Sequence, residues 1–329
     1  MKVLIVRLSS MGDVVHALPL AENARAAGAT VGWLVERPFA GLLEGNPHCA
    51  QIFVADTRLW RKRPLSSGTF AGIAALRRAL RDFAPDRTID AQGLWKSSML
   101  ARLPGAPVVG FASGERREPG SAILAAVRVT PDAAARHVVD RNLALLEGAG
   151  IPIASRRPDA AYLHALPSPA ADALLAGVPR PFVVLHPGAA RPEKTWGEEH
   201  YAQLAGGLRR ERGLSAVLSW GPGDESRIER LRSLAPEAVV APLLDFGGLA
   251  RVVAASALFV GGDTGPLHLA DAIGARTLAL FGPTDPRRNG PYRDRRGTVT
   301  SMSTVADETV LSRAIQILSR HQPPGADTL

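Results

Sequence analysis

Polar residues that could bind a phosphate group or move a proton stand at the ends of apolar, strand-like runs. In the clearest case, a short apolar run leads into Asp263-Thr264-Gly265 and then into a helical pattern that carries His268. The start of a helix points free backbone N–H groups outward and therefore attracts anions. Taken alone, these residues are more typical of a helix cap and a packed histidine. A second Gly/Pro turn at 280–286 follows the next strand, however, and two neighbouring polar turns favour a binding site.

Similar polar turns follow other predicted strands in both halves of the chain. Because open α/β sheets bind ligands at the carboxyl ends of their strands, these turns define the predicted site. In the first half the turns supply Ser9, Ser10, Gly12, Asp13, Gln92 and Lys96. In the second half they supply Ala189, Lys194, Asp224, Glu225, Asp263, Thr264, Gly265 and His268.

The elements that position these turns alternate between strands and helices, which predicts an α/β protein with parallel, doubly wound sheets. A proline-rich stretch at 151–181 separates two such patterns, so we expect an N-terminal domain at 1–165 and a C-terminal domain at 166–329. The strand ends of these two Rossmann-like domains are expected to face a central cleft, and the last helix, 305–319, could pack back on the N-terminal domain. Neither domain has Gly-x-Gly-x-x-Gly after its first strand, which disfavours a nicotinamide enzyme.

Two local expectations concern the first domain. A polar turn at 7–13 should precede a helix at 14–27, and 56–67 should form an exposed loop that carries Arg61-Lys62-Arg63. Asp13 would then be either a functional carboxylate or the N-cap of the helix that follows it.

Composition limits the class of protein and its partners. The chain has 329 residues and one cysteine, Cys49, which excludes an internal disulfide and a cysteine-based metal cluster. No apolar run approaches the roughly 18 residues needed to cross a bilayer, and the apolar start of the chain is too short for a signal peptide. We therefore expect a cytoplasmic protein.

The net charge of +8 is concentrated in one part of the chain. Residues 56–137 carry fourteen basic and seven acidic side chains, so this region holds +7 of the excess. Such a basic field predicts an acidic partner: nucleic acid, an anionic membrane surface or a multiply charged substrate. Nucleic acid is the least favoured of these, because no recognisable binding module is present and few aromatic residues lie among the charges.

Four stretches of the sequence together resemble glycosyltransferase family 9, the heptosyltransferases. They are Val-Arg-Leu-Ser-Ser-Met-Gly-Asp-Val-Val-His at 6–16, Ile-Asp-Ala-Gln-Gly-Leu-Trp-Lys-Ser at 89–97, His-Pro-Gly through Lys-Thr-Trp at 186–196, and Gly-Asp-Thr-Gly-Pro-Leu-His at 262–268. Ser-x-x-Gly-Asp and Asp-Thr-Gly-x-x-His are specific to the family. Asp-Ala-Gln-Gly-Leu-x-Lys-Ser is more typical of members that transfer the first heptose than of those that transfer the second.

The resemblance implies a GT-B architecture and an inverting, metal-independent transfer of heptose from ADP-heptose to a Kdo residue of Kdo-lipid A, in lipopolysaccharide inner-core synthesis. It implies that Asp13 is the general base, that Lys194 contacts the phosphates, and that Asp263, Thr264 and Gly265 contact the sugar and diphosphate. These residue types suit the reaction, which needs a carboxylate for the acceptor proton and positive charge for the departing diphosphate. No cofactor is expected, since ADP-heptose is a substrate. We also expect a monomer that does not bind nucleic acid and that associates peripherally with the cytoplasmic face of the inner membrane.

Some positions depart from the family's pattern. Ala189-Ala190 stands where the family often has two threonines, so backbone N–H groups would have to serve the phosphates there. The acidic ribose contact maps to Asp224 or Glu225. The adenine contact falls near Leu243 or Leu244, and Leu244 joins the donor-binding set with His268.

The predicted acceptor-binding set is mostly basic, and its crowding in one domain suits carboxylates and lipid phosphates. Its members are Ser10, Gly12, Arg61, Lys62, Arg63, Gln92, Lys96, Arg116, Arg117 and Arg136. The alternative for the basic members is a solvated face, and for Lys194 it is a solvated surface lysine. His16 and His137 lie at predicted helices, where packing is commoner than proton transfer.

Three other functions remain open on the sequence. The chain could be another family 9 heptosyltransferase that adds the second or a later heptose, or a sugar-nucleotide 2-epimerase of the same two-domain build. It could also be an anionic-membrane binding module without turnover. Incubation with ADP-heptose, with and without Kdo-lipid A, separates a transferase from the last two.

Overall fold

The computed structural model describes residues 1–188, 193, 195–302 and 304–320. The chain divides into two compact units, Met1–Asp159 and Ala160–Leu329. The sequence places the boundary six residues later. Residues 160–165 belong to the second unit, because the 3-10 turn Ala161–Ala165 packs on the helix Phe246–Ala254.

Strands and helices alternate along both units, as the sequence predicts. The strands are β1 Lys2–Val6, β2 Thr30–Glu36, β3 Gln51–Ala55, β4 Arg87–Asp90, β5 Val108–Phe111, β6 Val127–Val129, β7 Phe182–His186, β8 Ser215–Leu218, β9 Val239–Val240, β10 Leu258–Gly262, β11 Thr277–Leu280 and β12 Thr298–Val299. The α-helices are α1 Met11–Ala26, α2 Thr57–Lys62, α3 Ser67–Phe83, α4 Trp95–Ala101, α5 Val138–Gly148, α6 Pro169–Gly177, α7 Glu198–Arg212, α8 Glu225–Leu234, α9 Phe246–Ala254, α10 Gly265–Ala272, α11 Pro286–Asn289 and α12 Asp307–Ser319. Short 3-10 turns at Arg37–Leu42, Ser113–Glu115 and Pro119–Leu124 complete the first unit. None of these helices is long and apolar enough to span a bilayer.

The first unit contains a six-stranded parallel sheet in the order β3-β2-β1-β4-β5-β6. Strand β1 lies at its centre, where Ile5 pairs in register with Trp33 of β2 and with Ile89 of β4. On one face, Leu4 and Val6 form a core with the apolar side of α3. A central strand buried on both faces explains why β1 is apolar at every position but its first.

The second unit repeats this arrangement with the order β12-β11-β10-β7-β8-β9, again all parallel. Alternate residues of β7 face opposite cores: Val183 and Leu185 pack towards α7, α8 and α12, whereas Phe182 and Val184 pack towards α6, α9 and α10. The last helix, α12, packs on α7 of its own unit, with Leu311 against Gly207.

Both strand orders have one reversal point, between β1 and β4 in the first sheet and between β7 and β10 in the second. The connections on either side of such a reversal leave the sheet in opposite directions and open a crevice at the carboxyl ends of the two strands, where ligands bind. Four of the polar turns of the sequence follow these four strands, and the turn of Asp224 and Glu225 follows β8, next to β7. The topology therefore provides one candidate crevice in each unit.

Two local predictions are wrong. Residues 57–62, predicted as part of an exposed loop, form α2, in which the indole of Trp60 faces Gly72 of α3. The helix predicted to begin at residue 14 begins at Met11. The short outer strands β6 and β12 were not predicted, since strands of two or three residues carry little periodic signal.

Candidate active site

Asp13 lies in the first turn of α1, at the carboxyl end of β1. Ser10, not Asp13, is the N-cap residue of this helix, and Asp13 is the third helical residue, whose carboxylate completes a capping box with Ser10. Asp13 Oδ2 accepts hydrogen bonds from the Ser10 backbone N–H at 3.1 Å and from the Ser10 hydroxyl at 3.0 Å. Its Oδ1 forms an ion pair with Arg7 Nη2 at 2.5 Å. The side chain keeps 40% of its surface exposed, so a substrate hydroxyl can reach it.

The surroundings of Asp13 favour its ionised form. Burial alone raises the pKa of Asp13, but the charge of Arg7 and the hydrogen bonds from Ser10 outweigh burial and hold the pKa below its ordinary value. Arg7 is itself held in place, because its guanidinium also donates to the carbonyl of Ala91. Asp13 is therefore a carboxylate at neutral pH, able to accept a proton.

Gln92 joins the turn after β4 to the turn after β1. Its Oε1 accepts from the Leu8 N–H at 2.7 Å, and its Nε2 donates to the Ser9 hydroxyl at 3.3 Å. The Gln92 N–H in turn donates to Asp90 Oδ1 at 3.1 Å. Ser9, Ser10, Asp13 and Gln92 are thus brought together at the reversal point of the first sheet, as predicted, and the buried Gly12 lies beside them.

Arg116, predicted to bind the acceptor, lies inside the unit. Its side chain is fully buried and ion-paired with Asp90 at 3.4 Å. It also donates to the hydroxyls of Ser98 and Ser121, at 2.9 and 3.1 Å, and to the carbonyl of Phe111. This position corrects the prediction for Arg116: the guanidinium supports the turns around Asp90 from beneath and does not face a substrate.

Lys96 is held by a partner that sequence reasoning did not identify. Its Nζ lies 2.8 Å from Glu36 Oε1, a carboxylate that is almost fully buried at the end of β2. The same carboxylate accepts from the Thr57 hydroxyl and lies 3.8 Å from Arg58 Nε. Glu36 therefore ties the starts of α2 and α4 together and fixes the position of the Lys96 charge.

The remaining predicted acceptor contacts are exposed on the segments that follow β3, β5 and β6. They are Arg61, Lys62, Arg63, Arg117 and Arg136. Because all strands of the sheet are parallel, these segments leave the same edge as the turn of Asp13. They can meet an anionic ligand there without breaking buried contacts.

His16 and His137 pack against each other. Both are buried, and their rings meet edge to face with centroids 5.5 Å apart. His137 also caps α5, since its Nδ1 accepts from the Val139 N–H at 3.2 Å. The interpretation of these histidines as packing residues agrees with this geometry.

In the second unit, the turn after β10 has the predicted form. Thr264 is the N-cap of α10, and the first backbone bond within this helix runs from the His268 N–H to the Thr264 carbonyl at 3.3 Å. The N–H groups of Gly265 and Leu267 are therefore not used by the helix ladder. Leu267 is fully buried, so the Gly265 N–H, at the partly exposed start of the helix, is the one available to an anion. Asp263 and His268 lie behind them, both buried and joined by an Asp263 Oδ1 to His268 Nε2 contact of 3.2 Å.

The two acidic candidates after β8 differ in position. Asp224 is only 18% exposed, accepts from the Gly221 N–H at 3.2 Å, and lies against Gly188, the residue two places beyond β7. Glu225 is exposed, and its Oε1 accepts from the Gly223 N–H at 3.2 Å. Asp224 is thus the carboxylate beside the reversal point of the second sheet.

Arg227 is a cation near this reversal point that sequence reasoning missed. It lies 3.6 Å from Glu198 and 3.9 Å from Asp224, and it donates to the Pro187 carbonyl at 3.5 Å. Arg227 lies on α8, two residues after Glu225, and belongs to no motif by which the sequence could have identified it.

Three predicted donor residues, Ala189, Ala190 and Lys194, lie outside the described residues.

After these residues the chain enters α7 through Trp196, which is buried and contacts the rings of His200 and Tyr201. Leu244 is half-buried against Gly248 of α9, after β9. Within the ranges described above, no group of three or more His, Cys, Asp or Glu side chains is arranged to hold a metal ion.

Comparison with known proteins agrees with this geometry. The model of glycosyltransferase family 9 (heptosyltransferase) matches residues 73–313. Lipopolysaccharide heptosyltransferase 1 of Pseudomonas aeruginosa is 36% identical over 303 residues, which cover 89% of this chain and 81% of the relative. The structure of E. coli heptosyltransferase WaaC with ADP is 31% identical, with a TM-score of 0.80 over 96% of this chain and 100% of that one. The same enzyme with ADP-2-deoxy-2-fluoro heptose is 29% identical in that comparison, with a TM-score of 0.78 over 96% and 99%.

These structural matches confirm the predicted GT-B fold, in agreement with the two doubly wound sheets. The family model covers well over half of the chain, and the relative is matched over most of its own length. The chain therefore belongs to glycosyltransferase family 9, the family of heptosyltransferases.

Proposed function

We propose that this protein transfers heptose from ADP-heptose to a Kdo residue of Kdo-lipid A, with inversion and without a metal ion, in lipopolysaccharide inner-core synthesis. The observation that carries the proposal is the ionised, partly exposed carboxylate of Asp13 at the reversal point of the first sheet. The name of the Pseudomonas relative and the ADP and ADP-heptose analogue in the two E. coli structures support the choice of sugar and nucleotide.

Asp13 supplies the base for the proposed reaction. As the Kdo hydroxyl oxygen forms its bond to the anomeric carbon of heptose, Asp13 takes the hydroxyl proton. The bond from that carbon to the ADP oxygen breaks, and its electron pair stays on ADP. Attack from the face opposite the departing ADP inverts the anomeric centre. Arg7 and Ser10 hold the carboxylate in one orientation for this step.

The second unit supplies the groups that stabilise the departing ADP. The N–H group of Gly265 at the start of α10 faces the developing negative charge, and Lys194 adds a full positive charge in the proposed arrangement. Fixed donors of this kind can replace a divalent cation. Asp224 accepts from the ribose hydroxyls, since it follows β8, the strand next to β7, and Leu244 lies against the adenine further out, since it follows β9, the strand beyond β8.

The first unit supplies the acceptor contacts. Lys96, Arg117, Arg136 and the exposed basic residues at the end of α2 meet the carboxylates of Kdo and the phosphates of lipid A. Because that acceptor is a lipid, we place the enzyme at the cytoplasmic face of the inner membrane, bound peripherally.

The test is the release of ADP from ADP-heptose by the purified protein, with and without Kdo-lipid A in detergent micelles. We expect release that requires the acceptor and persists in excess chelator. Epimerisation of a UDP-sugar without acceptor would replace the transferase by an epimerase, whereas ADP release without acceptor would show hydrolysis of the donor by water. Binding of lipid without any turnover would leave only a membrane-binding module. If activity is lost in chelator and restored by magnesium, the reaction depends on a metal ion. That result would contradict metal independence but not heptose transfer.

A further inference from the structure

Apolar and basic side chains are exposed together where α2 turns into α3. Leu59, Leu65 and Phe70 are 54%, 85% and 58% exposed. Residues 57–81 contain no acidic side chain, and their basic side chains are all exposed. The basic residues are Arg58, Arg61, Lys62, Arg63, Arg77, Arg78 and Arg81. Large apolar side chains in water are costly, so their presentation among cations calls for a partner that takes both.

The turn that presents these side chains is fixed by its own hydrogen bonds. Ser66 caps α3 by accepting from the Thr69 N–H at 3.2 Å, and the Thr69 hydroxyl donates to the Arg63 carbonyl at 2.7 Å. Leu65 and Phe70 occupy the positions before the cap and at the fourth residue of the helix, where apolar residues often pack together as a staple. Such a staple would explain why Leu65 and Phe70 are neighbours. Both side chains nevertheless remain largely exposed to solvent.

A second apolar pair is tied to the same edge of the unit. Trp95 and Met99 are spaced i, i+4 on α4, so they share one face, and they are 45% and 56% exposed. Glu36 links this helix to α2, because its carboxylate contacts Lys96 at the start of α4 and the Thr57 hydroxyl at the start of α2. The two apolar groups are therefore held relative to each other through the buried carboxylate of Glu36.

We propose that these five side chains, Leu59, Leu65, Phe70, Trp95 and Met99, form a docking face that inserts into an anionic phospholipid bilayer. The surrounding cations contact the lipid headgroups. Apolar side chains that enter the headgroup and acyl boundary, ringed by Lys and Arg, are the usual composition of a surface that lies on a membrane without crossing it. The inference rests on the proposed function in one respect, since a lipid acceptor explains why the enzyme would need a bilayer.

Charge favours the bilayer over other occupants of the docking face. A second copy of this chain would bring the same uncompensated basic segment, and the like charges would repel. Nucleic acid would satisfy the cations, but it offers no apolar layer for Leu65 and Phe70. An anionic bilayer offers negative charge at its surface for the cations and hydrocarbon beneath it for the apolar side chains.

The experiment measures binding of the full chain to vesicles that contain no Kdo-lipid A. Wild-type protein and Leu65→Gln/Phe70→Gln are sedimented with phosphatidylethanolamine vesicles that contain phosphatidylglycerol, and with pure phosphatidylcholine vesicles. Burying even half of each side chain corresponds to about a fivefold gain in partition, so the double variant should bind the anionic vesicles at least about tenfold more weakly. Leu234→Gln, which removes an exposed leucine of the second unit, is the matched control and should bind as wild type.

A second readout separates insertion from electrostatic adhesion. Leu65→Trp adds a sixth indole, so its emission should shift to shorter wavelength on anionic vesicles by more than that of the wild-type protein, and lipids brominated in their acyl chains should quench it more strongly. The wild-type protein, which has Trp95 at the same face, gives the reference signal for this comparison.

Three results of the vesicle measurements would overturn the inference. They are unchanged binding by the double variant, an absent shift and quenching in Leu65→Trp, and binding that appears only when Kdo-lipid A is added. The last result would assign the face to the acyl chains of the acceptor. The inference would also be overturned if the docking face bound a protein partner and the chain did not bind vesicles. ADP release by the wild-type protein is measured in parallel. If the protein binds vesicles but releases no ADP, the proposed function is contradicted and the docking face is not.

Discussion

Replacement of Asp13 by asparagine tests the assignment of the base. Both carboxylate oxygens are in use: Oδ1 pairs with Arg7 at 2.5 Å, and Oδ2 accepts from the backbone and hydroxyl of Ser10 at 3.1 and 3.0 Å. An asparagine keeps the shape but offers a single acceptor oxygen, so its NH2 group must face either Arg7 or Ser10. Asp13→Asn therefore removes the proton acceptor and one of the contacts that hold the turn.

The two effects differ in size and can be separated. Loss of a general base lowers kcat by about 10²- to 10⁴-fold, or ~3–5 kcal/mol in the activation barrier. The lost contact is partly exposed to water, so it costs about 1 kcal/mol of stability, which lowers Tm by roughly 2–4 °C in a unit of this size. We expect Asp13→Asn to remain folded and to bind ADP-heptose as wild type does, because the proposed donor contacts lie in the second unit.

The assay is single-turnover transfer to Kdo-lipid A, with donor affinity measured separately by calorimetry. Ser10→Ala is the matched control, since it removes one hydrogen bond to the same carboxylate and leaves its charge. We expect the control to lose less than about tenfold in rate. If Asp13→Asn turns over within a few-fold of wild type, the base lies elsewhere, and His16, one turn further along α1, is the next candidate.

Three further predictions test the charges around the two candidate crevices. The first replaces the exposed basic residues at the end of α2 with glutamine, at Arg61, Lys62 and Arg63. Each contributes about 1 kcal/mol near an anionic surface, so apparent affinity for Kdo-lipid A in neutral micelles should fall by roughly two powers of ten. The KM for ADP-heptose should stay unchanged, and an equal rise in both constants would make this cluster a solvated face. The matched control neutralises the basic residues at the end of α7, Arg209, Arg210 and Arg212. Second, Asp224→Ala should raise the KM for ADP-heptose about tenfold and Glu225→Ala should not; the opposite pattern would assign the ribose contact to Glu225. Third, Arg7→Gln should move the acidic limb of the kcat/KM profile to higher pH, because without the Arg7 charge the burial of Asp13 raises its pKa and the base protonates sooner as pH falls. An unmoved limb would show that Asp13 is not the titrating group.

The elements that carry the two crevices could be predicted because their sequence signals are strong and local. The short apolar run before Asp263-Thr264-Gly265 predicts a strand that ends there, and β10 ends at Gly262, since an apolar parallel strand ends where a polar or glycine-rich turn begins. The turn at Thr264 was also predictable, because a glycine and a proline beside a possible N-cap specify a helix start.

What could not be predicted depends on contacts between distant residues. The charge of Arg116 looked like surface charge, and only its pairing with Asp90, 26 residues earlier, shows that it is buried. Glu36 is a single charged residue at a strand end without a motif, and Arg7 lies in the stretch 6–16 but had no role of its own there. The position of both residues next to a buried strand was a usable signal. The helix α2 is six residues long and is followed by Pro64, so its sequence resembles a loop until Trp60 packs against α3.

The most direct test of heptose transfer is the mass of the acceptor after incubation with the purified protein and ADP-heptose. Mass spectrometry of recovered Kdo-lipid A should show the addition of one heptosyl residue for each ADP released, located on Kdo after fragmentation. NMR of the product should show the anomeric configuration opposite to that of the donor. ADP release with an unchanged acceptor mass, or heptose added to an acceptor that already carries one but not to Kdo-lipid A, would contradict the proposed reaction.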